Sequence, residues 1–233
     1  ILVIDLKKKK QLSDIFQKII QQNLKLDAWS WLDNKVELIK NEEKTLQLNL
    51  SFSQLPRKLG KENIVVQSED VADLKQLLPG FSLEAWTIDR LCRVWLLMQL
   101  PDQNKEQYLK KIKTLFIASE MNELIALYSA LPFLSHTEEW VGKCEEGIRS
   151  NIGTVLEAIM YHNPYPSVML SEGAWNQMIL KAFFTEKDVK KITGLKERVN
   201  QALANTLNDY VQERLAAHRT VHPEIYQLIE LGK

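Results

Sequence analysis

The chain has 233 residues, 45% hydrophobic and 26% charged, and its thirty Lys and Arg balance its thirty Asp and Glu. These are ordinary globular values for a chain long enough to bury a full core, and they argue against disorder. With no basic excess to neutralise phosphates and no apolar run near the ~20 residues of a membrane span, neither nucleic-acid binding nor a membrane-spanning segment is expected.

The first four residues are apolar, and Asp5, Leu6 and the basic run Lys7 to Lys10 follow. A signal peptide has the opposite order, basic before apolar. The basic run reads as a solvated helix start, with a weak contact to anionic lipid or a partner as its functional alternative. Leu12, Ile15, Phe16, Ile19 and Ile20 then recur at helical spacing. Leu46, Leu48, Leu50 and Phe52 alternate like a strand, but Leu48, Phe52, Leu55 and Leu59 fit a helix, and a lone strand has nothing to pair with. A helix is expected there. Ile64-Val65-Val66 is β-favouring but brief.

Further helical stripes follow in order. Val71, Leu74 and Leu78 come after Ser68 as a cap; Ile88, Leu91, Cys92 and Trp95 come after Ser82 as a cap. The segment Val94 to Met98 is apolar on every side, which predicts a buried central helix. Leu109, Ile112 and Phe116 form the next stripe, then Leu124, Leu127, Tyr128 and Leu131. One long stripe runs through Ile148, Ile152, Val155, Leu156, Ile159 and Met160. Trp175, Met178, Ile179, Ala182 and Phe183, then Leu203, Leu207, Tyr210 and Val211, complete the set, and a short helix starts at Pro223 with His222 before it.

Eight glycines and seven prolines are few for a strand-rich fold. Leu-Pro pairs at 55–56, 78–79, 100–101 and 131–132 punctuate the helices, since proline disfavours helix at the residue before it. Their spacings of 23, 22 and 31 residues are not a strict repeat. The expected fold is all-α: a multi-helix array of antiparallel α-hairpins, with an α-solenoid as one form of it. No linker divides residues 1–233, which read as one helical domain with residues 1–44 a looser N-terminal helical part.

Motifs of chemistry are scarce. Gly147 and Gly153 are followed by no Gly-Lys-Ser/Thr and read as places of close helix packing. The histidines His136, His162, His218 and His222 form no zinc pattern, so neither metal nor cofactor is expected. Cys92 and Cys144 are far apart, which implies no disulfide framework and a cytoplasmic setting. Cys92 reads as core, and Glu145 and Glu146 beside Cys144 work against a reactive thiolate. No catalytic residue is assigned.

The unusual region is 145–181. Arg149 and Asn151 flank the long stripe, and Tyr161-His162-Asn163-Pro164-Tyr165-Pro166 closes it. Two prolines around Tyr165 predict a stiff, extended loop that would present its side chain at little entropic cost. The next helix starts near Ser171 and carries Trp175, Asn176, Gln177 and, one turn on, Lys181. Together Arg149, Asn151, Asn163, Tyr165, Trp175, Asn176, Gln177 and Lys181 could line a polar-aromatic pocket. The plainer reading is a satisfied polar loop tying two helices.

These residues also carry a resemblance. Glu146-Gly-Ile-Arg-Ser-Asn, Asn163-Pro-Tyr-Pro, Ala174-Trp-Asn-Gln, Trp86-Thr-Ile-Asp-Arg-Leu-Cys-Arg, Glu123-Leu-Ile-Ala-Leu-Tyr-Ser-Ala-Leu-Pro, Gly194-Leu195 and Asp209-Tyr-Val-Gln-Glu-Arg together resemble the EboA family, over an EboA-like region of residues 45–233. His218-Arg219 departs from that family's usual tail. The resemblance implies a gene set that moves secondary metabolites, with a prenyltransferase-like membrane protein among its products as a partner. The expected function is therefore a non-enzymatic binding or adaptor protein in metabolite traffic or export, holding a metabolite or docking to proteins of that set. The alternatives are a cryptic enzyme on an isoprenoid or phosphorylated small molecule, which usually carries an Asp-rich motif this chain lacks, and a purely structural helical scaffold.

Overall fold

The computed structural model describes residues 5–42 and 44–233. The apolar opening, residues 1–4, lies outside the described residues. Among the described residues there are thirteen α-helices and no sheet. They are α1 (Leu6–Asn23), α2 (Leu26–Lys40), α3 (Leu46–Leu59), α4 (Ser68–Leu77), α5 (Ile88–Met98), α6 (Lys105–Ala118), α7 (Met121–Ser129), α8 (Val141–Arg149), α9 (Gly153–Met160), α10 (Tyr165–Met169), α11 (Glu172–Phe184), α12 (Gln201–Ala216) and α13 (Pro223–Leu231). Short 3-10 turns stand at Leu131–Phe133, Thr137–Trp140 and Val189–Lys191.

The all-α expectation holds, and the alternating stretch after residue 45 is helix α3. The all-round apolar segment forms α5, in which every residue but Arg90 is buried. Around it pack α1, α3 and α7; α9 covers α7, and α8 and α11 follow outward. Neighbours in sequence pair at α2–α3, α8–α9 and α12–α13. A one-dimensional stack limits each unit to its neighbours, whereas α1 here reaches α4 and α5 and joins the shared core through Leu12, Phe16, Ile19 and Ile20. Lys9 of the basic run binds Asp102 and Ser135, and Lys18 binds the buried Asp70 at 2.7 Å, so α1 is tied to the body by charge as well as by packing.

Several sequence expectations need correction. Pro56 does not end a helix; it sits inside α3. Proline there removes the bond that would have used the Phe52 carbonyl. That carbonyl accepts instead from Nε of the buried Arg93 at 3.0 Å, and Arg93 in turn pairs with Asp89 at 2.5 Å, one turn back on α5. The other three Leu-Pro pairs do lie just past helix ends. The long helix expected through Ile148 and Met160 is two helices, α8 and α9, because the chain turns extended at Ser150, whose hydroxyl donates back to the Gly147 carbonyl. The Asn-Pro-Tyr-Pro stretch is not an extended loop: Pro164 stands at the cap of α10, and Tyr165 and Pro166 begin its first turn, a place that tolerates proline. Ser68 is the first residue of α4 rather than its cap, and Thr87, not Ser82, precedes α5. Gly147 packs as read: a Cβ there would lie 2.5 Å from Ile159 and 2.6 Å from the Tyr128 ring.

The Asp89–Arg93 pair generates the stability prediction. Removing one partner of a buried ion pair leaves an uncompensated charge, so Asp89→Ala should lower the unfolding free energy by about 3–5 kcal/mol. Adding Arg93→Met should recover a large part of that loss, as read by urea unfolding.

Candidate functional site

The residues marked in the sequence do not meet in one cleft. Asn163 is buried; its amide donates to the carbonyls of Tyr128 and Ala158 and its oxygen accepts from Tyr165 N. Tyr165 is fully buried, and its hydroxyl donates to the Thr137 carbonyl at 2.7 Å. Trp175 is fully buried under the Arg198 guanidinium, 4.8 Å from its ring, with its indole N–H unpartnered. Asn176 exchanges reciprocal amide bonds with Asn200, the cap of α12. Lys181 donates to Asn151 at 2.9 Å, while Arg149 and Gln177 are exposed. Asn163, Tyr165 and Trp175 are thus internal, Asn176 is a half-buried tie between α11 and α12, and Arg149, Asn151, Gln177 and the half-buried Lys181 lie toward the outer surface.

Polar groups do converge elsewhere, where three loops meet the start of α5. Residues 79–87 lead into α5, the corner at Tyr161 and His162 follows α9, and residues 187–193 follow α11. The loops are fastened together by backbone and side chain. His162 N donates to the Lys191 carbonyl at 2.8 Å, Asp188 N to the Tyr161 hydroxyl at 2.8 Å, and Thr193 Oγ1 to the Gly80 carbonyl at 2.6 Å. Gly80 is required at that last approach: its φ is +82°, and a Cβ would lie 2.2 Å from Thr193 Cγ2. Two non-glycine residues of this junction, Ala85 at φ +59° and His162 at φ +49°, are held in the left-handed region. That conformation costs of order 1–2 kcal/mol each and clusters at functional sites.

The junction borders a half-open cavity of about 200 Å³, lined among others by Trp86, Arg90, Glu157, Tyr161, His162 and Lys191. A second cavity of about 440 Å³, mostly apolar, shares Ser82, Glu84, Ala85 and His162 with it. Lys191 Nζ pairs with Glu84 at 2.6 Å, and Lys187 pairs with Glu157 at 2.6 Å. His162 Nε2 stands 3.1 Å from Glu84 without a hydrogen bond's alignment. The Lys191 ammonium, by hydrogen bond and charge, holds the Glu84 carboxyl below the usual range, and Glu84 raises Lys191 in return.

Arg90 is the exception among these charges. Its guanidinium lies 4.3 Å over the Trp86 ring, and Nε donates to Ser129 Oγ at 3.0 Å. Among the described residues no carboxylate pairs with it, and neither terminal nitrogen is hydrogen-bonded. Burial pulls its pKa down to about 10, with Asp89 and Glu157 acting from a distance to raise it, so it remains a cation at neutral pH. A larger cavity of about 580 Å³ lies between α11, α12 and α13. Its basic groups are already engaged: Arg214 holds the Thr220 carbonyl with two nitrogens, Lys187 holds Glu157, and His222 caps α13. We therefore place the candidate site at Arg90.

Among the described residues no three His, Cys, Asp or Glu side chains are grouped to hold a metal ion, and no helix is long and apolar enough to cross a membrane. Both thiols are buried, and burial first, with Glu145 second at Cys144, pushes them up. Sequence reasoning missed Arg90, Trp86, Glu84 and Lys191 as site residues. A signal for two of them was present, since Trp86 and Arg90 stand within the Trp86-to-Arg93 stretch that carries the family resemblance.

The geometry separates structural from surface roles in the 145–181 set. Trp175→Ala should cost about 3–5 kcal/mol, as for other large buried aromatics. Gln177→Ala and Lys181→Ala should stay within about 0.5 kcal/mol of the parent, as measured by thermal unfolding followed by circular dichroism.

The family model described as metabolite traffic protein EboA matches residues 12–230, and the chain belongs to that family. The match begins well before residue 45 and so takes in α2 and most of α1. Among curated proteins and among solved structures, none matches the chain.

Proposed function

We propose that this EboA-family chain is a non-enzymatic binding protein that holds a small metabolite during its traffic, in the cleft between Trp86, Arg90 and His162. One observation carries the reading: a half-buried guanidinium with two unengaged terminal nitrogens lines a strained, half-open junction. Those nitrogens have no acceptor among the described residues, so an anionic ligand can replace their water with charge-assisted hydrogen bonds. Rigid loops stacked on one another and an aromatic base under the cation keep it pre-positioned, which lowers the ordering cost of binding.

Support for a binding rather than a catalytic role comes from the protonation states. Both cysteines and the buried hydroxyls of Tyr108 and Tyr165 are pushed up by burial, away from nucleophilic forms. Glu84 is held as a carboxylate by Lys191 rather than poised as an acid. The two free thiols suit the reducing cytoplasm. Arg149, Asn151, Gln177 and Lys181, the outward part of the polar set around residues 149–181, are the surface on which a protein of the same gene set would dock, the prenyltransferase-like membrane protein included.

Native mass spectrometry of the chain purified gently from its own host tests this directly. The parent protein should carry a small bound mass, and Arg90→Gln, still folded by circular dichroism, should lose it. A bare parent protein, or a mass retained unchanged by the Arg90 variant, would refute the assignment of the cleft.

A further inference from the structure

The two adjoining cavities differ in chemistry. The smaller has a mixed lining that carries the charged groups Arg90, Glu84, Glu157 and Lys191, and at about 200 Å³ it lies below the ~300–1,000 Å³ of typical ligand pockets, enough for a head group alone. The larger, about 440 Å³, is lined by Ile64, Val66, Val71, Leu74, Phe81 and Leu83 and has apolar walls but few orienting donors. They meet at a common rim of Ser82, Glu84, Ala85 and His162. The other charges there pair off, Lys191 with Glu84 and Lys187 with Glu157, which leaves Arg90 with no carboxylate paired to it among the described residues.

We infer that the ligand is an amphipathic anion, with a carboxylate or phosphate head on Arg90 and an apolar body that crosses the shared rim into the groove beside α4. The inference rests on the reading of this cleft as a binding site. Arg90 presents a planar fork that matches two oxygens of either head. Trp86 fixes the plane of that fork from one face, and Ser129 holds Nε from behind, so the terminal nitrogens are the part left for a ligand. A neutral head would leave the charge unmatched. An anion of short reach would leave the apolar groove empty, with Val71 on its wall 53% exposed.

Isothermal titration calorimetry on the whole chain with octanoate, octyl phosphate and octanol tests the class. Both anions, or the one whose head fits, should bind more tightly than octanol. Arg90→Gln should weaken the anion by about ten- to hundredfold, the worth of hydrogen bonds to a charged group. Val71→Glu changes an exposed residue, leaves the fold intact, and should weaken the anion by placing a carboxylate at the apolar mouth. The inference is overturned if octanol binds as tightly as the anions, if both variants bind like the parent, or if none of the three probes binds. In that last case a host-derived mass that Arg90→Gln removes would leave the binding-site reading standing and reject only the amphipathic anion. No mass and no probe binding would reject both.

Discussion

A buried ion pair sets the geometry on which the rest of this molecule depends. Pro56 deprives the Phe52 carbonyl of its helical partner, and Arg93 fills the gap while Asp89 balances its charge. The guanidinium also lies 5.4 Å over the Phe52 ring. Three contacts thus converge on one side chain and fix the rotation of α5 against α3. A buried pair of this kind is poor evidence for added stability, but it discriminates strongly among registers, because any other rotation of α5 strands a charge.

That fixed rotation carries to the site. Asp89 and Arg93 are one turn apart and face α3. Arg90 is one residue along, about 100° around the helix, and so faces α7 and the loop junction instead. The same short stretch thereby supplies both the anchor of the central helix and the cation of the cleft. Packing and one hydrogen bond, rather than a carboxylate, hold Arg90 in place. The Trp86 ring below it and the Ser129 hydroxyl beside it restrict it, and loops 79–87 and 187–193 are locked over it by bonds between distant parts of the chain. The strain at Ala85 and His162 is tolerated because those bonds over-determine both corners.

Much of the fold was legible in the sequence because helices announce themselves locally. The apolar period marked α1, α5, α11 and α12, Ser171 and His222 were sited as helix starts, and the alternating leucines of α3 resolved into a helix once no strand partner could be named. The failures share a cause. The period through Ile148, Ile152 and Val155 continues across the break, since both short helices turn apolar faces to the same core, and only the Ser150 hydroxyl bond reveals the interruption. Pro56 could be accommodated in a helix only because Arg93, 37 residues later by number, was there to meet the freed carbonyl. The polar stretch at 145–181 did signal something unusual, but largely the internal ties of Asn163 and Tyr165. The cleft joins Lys191 to Glu84 across 107 residues of chain, a proximity that no spacing rule encodes.

The central claim is that Arg90 awaits an external acceptor. A crystal structure of the protein purified from its own host, without added ligand, measures this most directly. The account predicts density for a small molecule with an oxygen within hydrogen-bonding distance of the Arg90 terminal nitrogens and an apolar part reaching toward Val71 and Phe81. Arg90 found instead in a bidentate pair with Glu157 or another side chain of this chain, with the cleft closed, would contradict it.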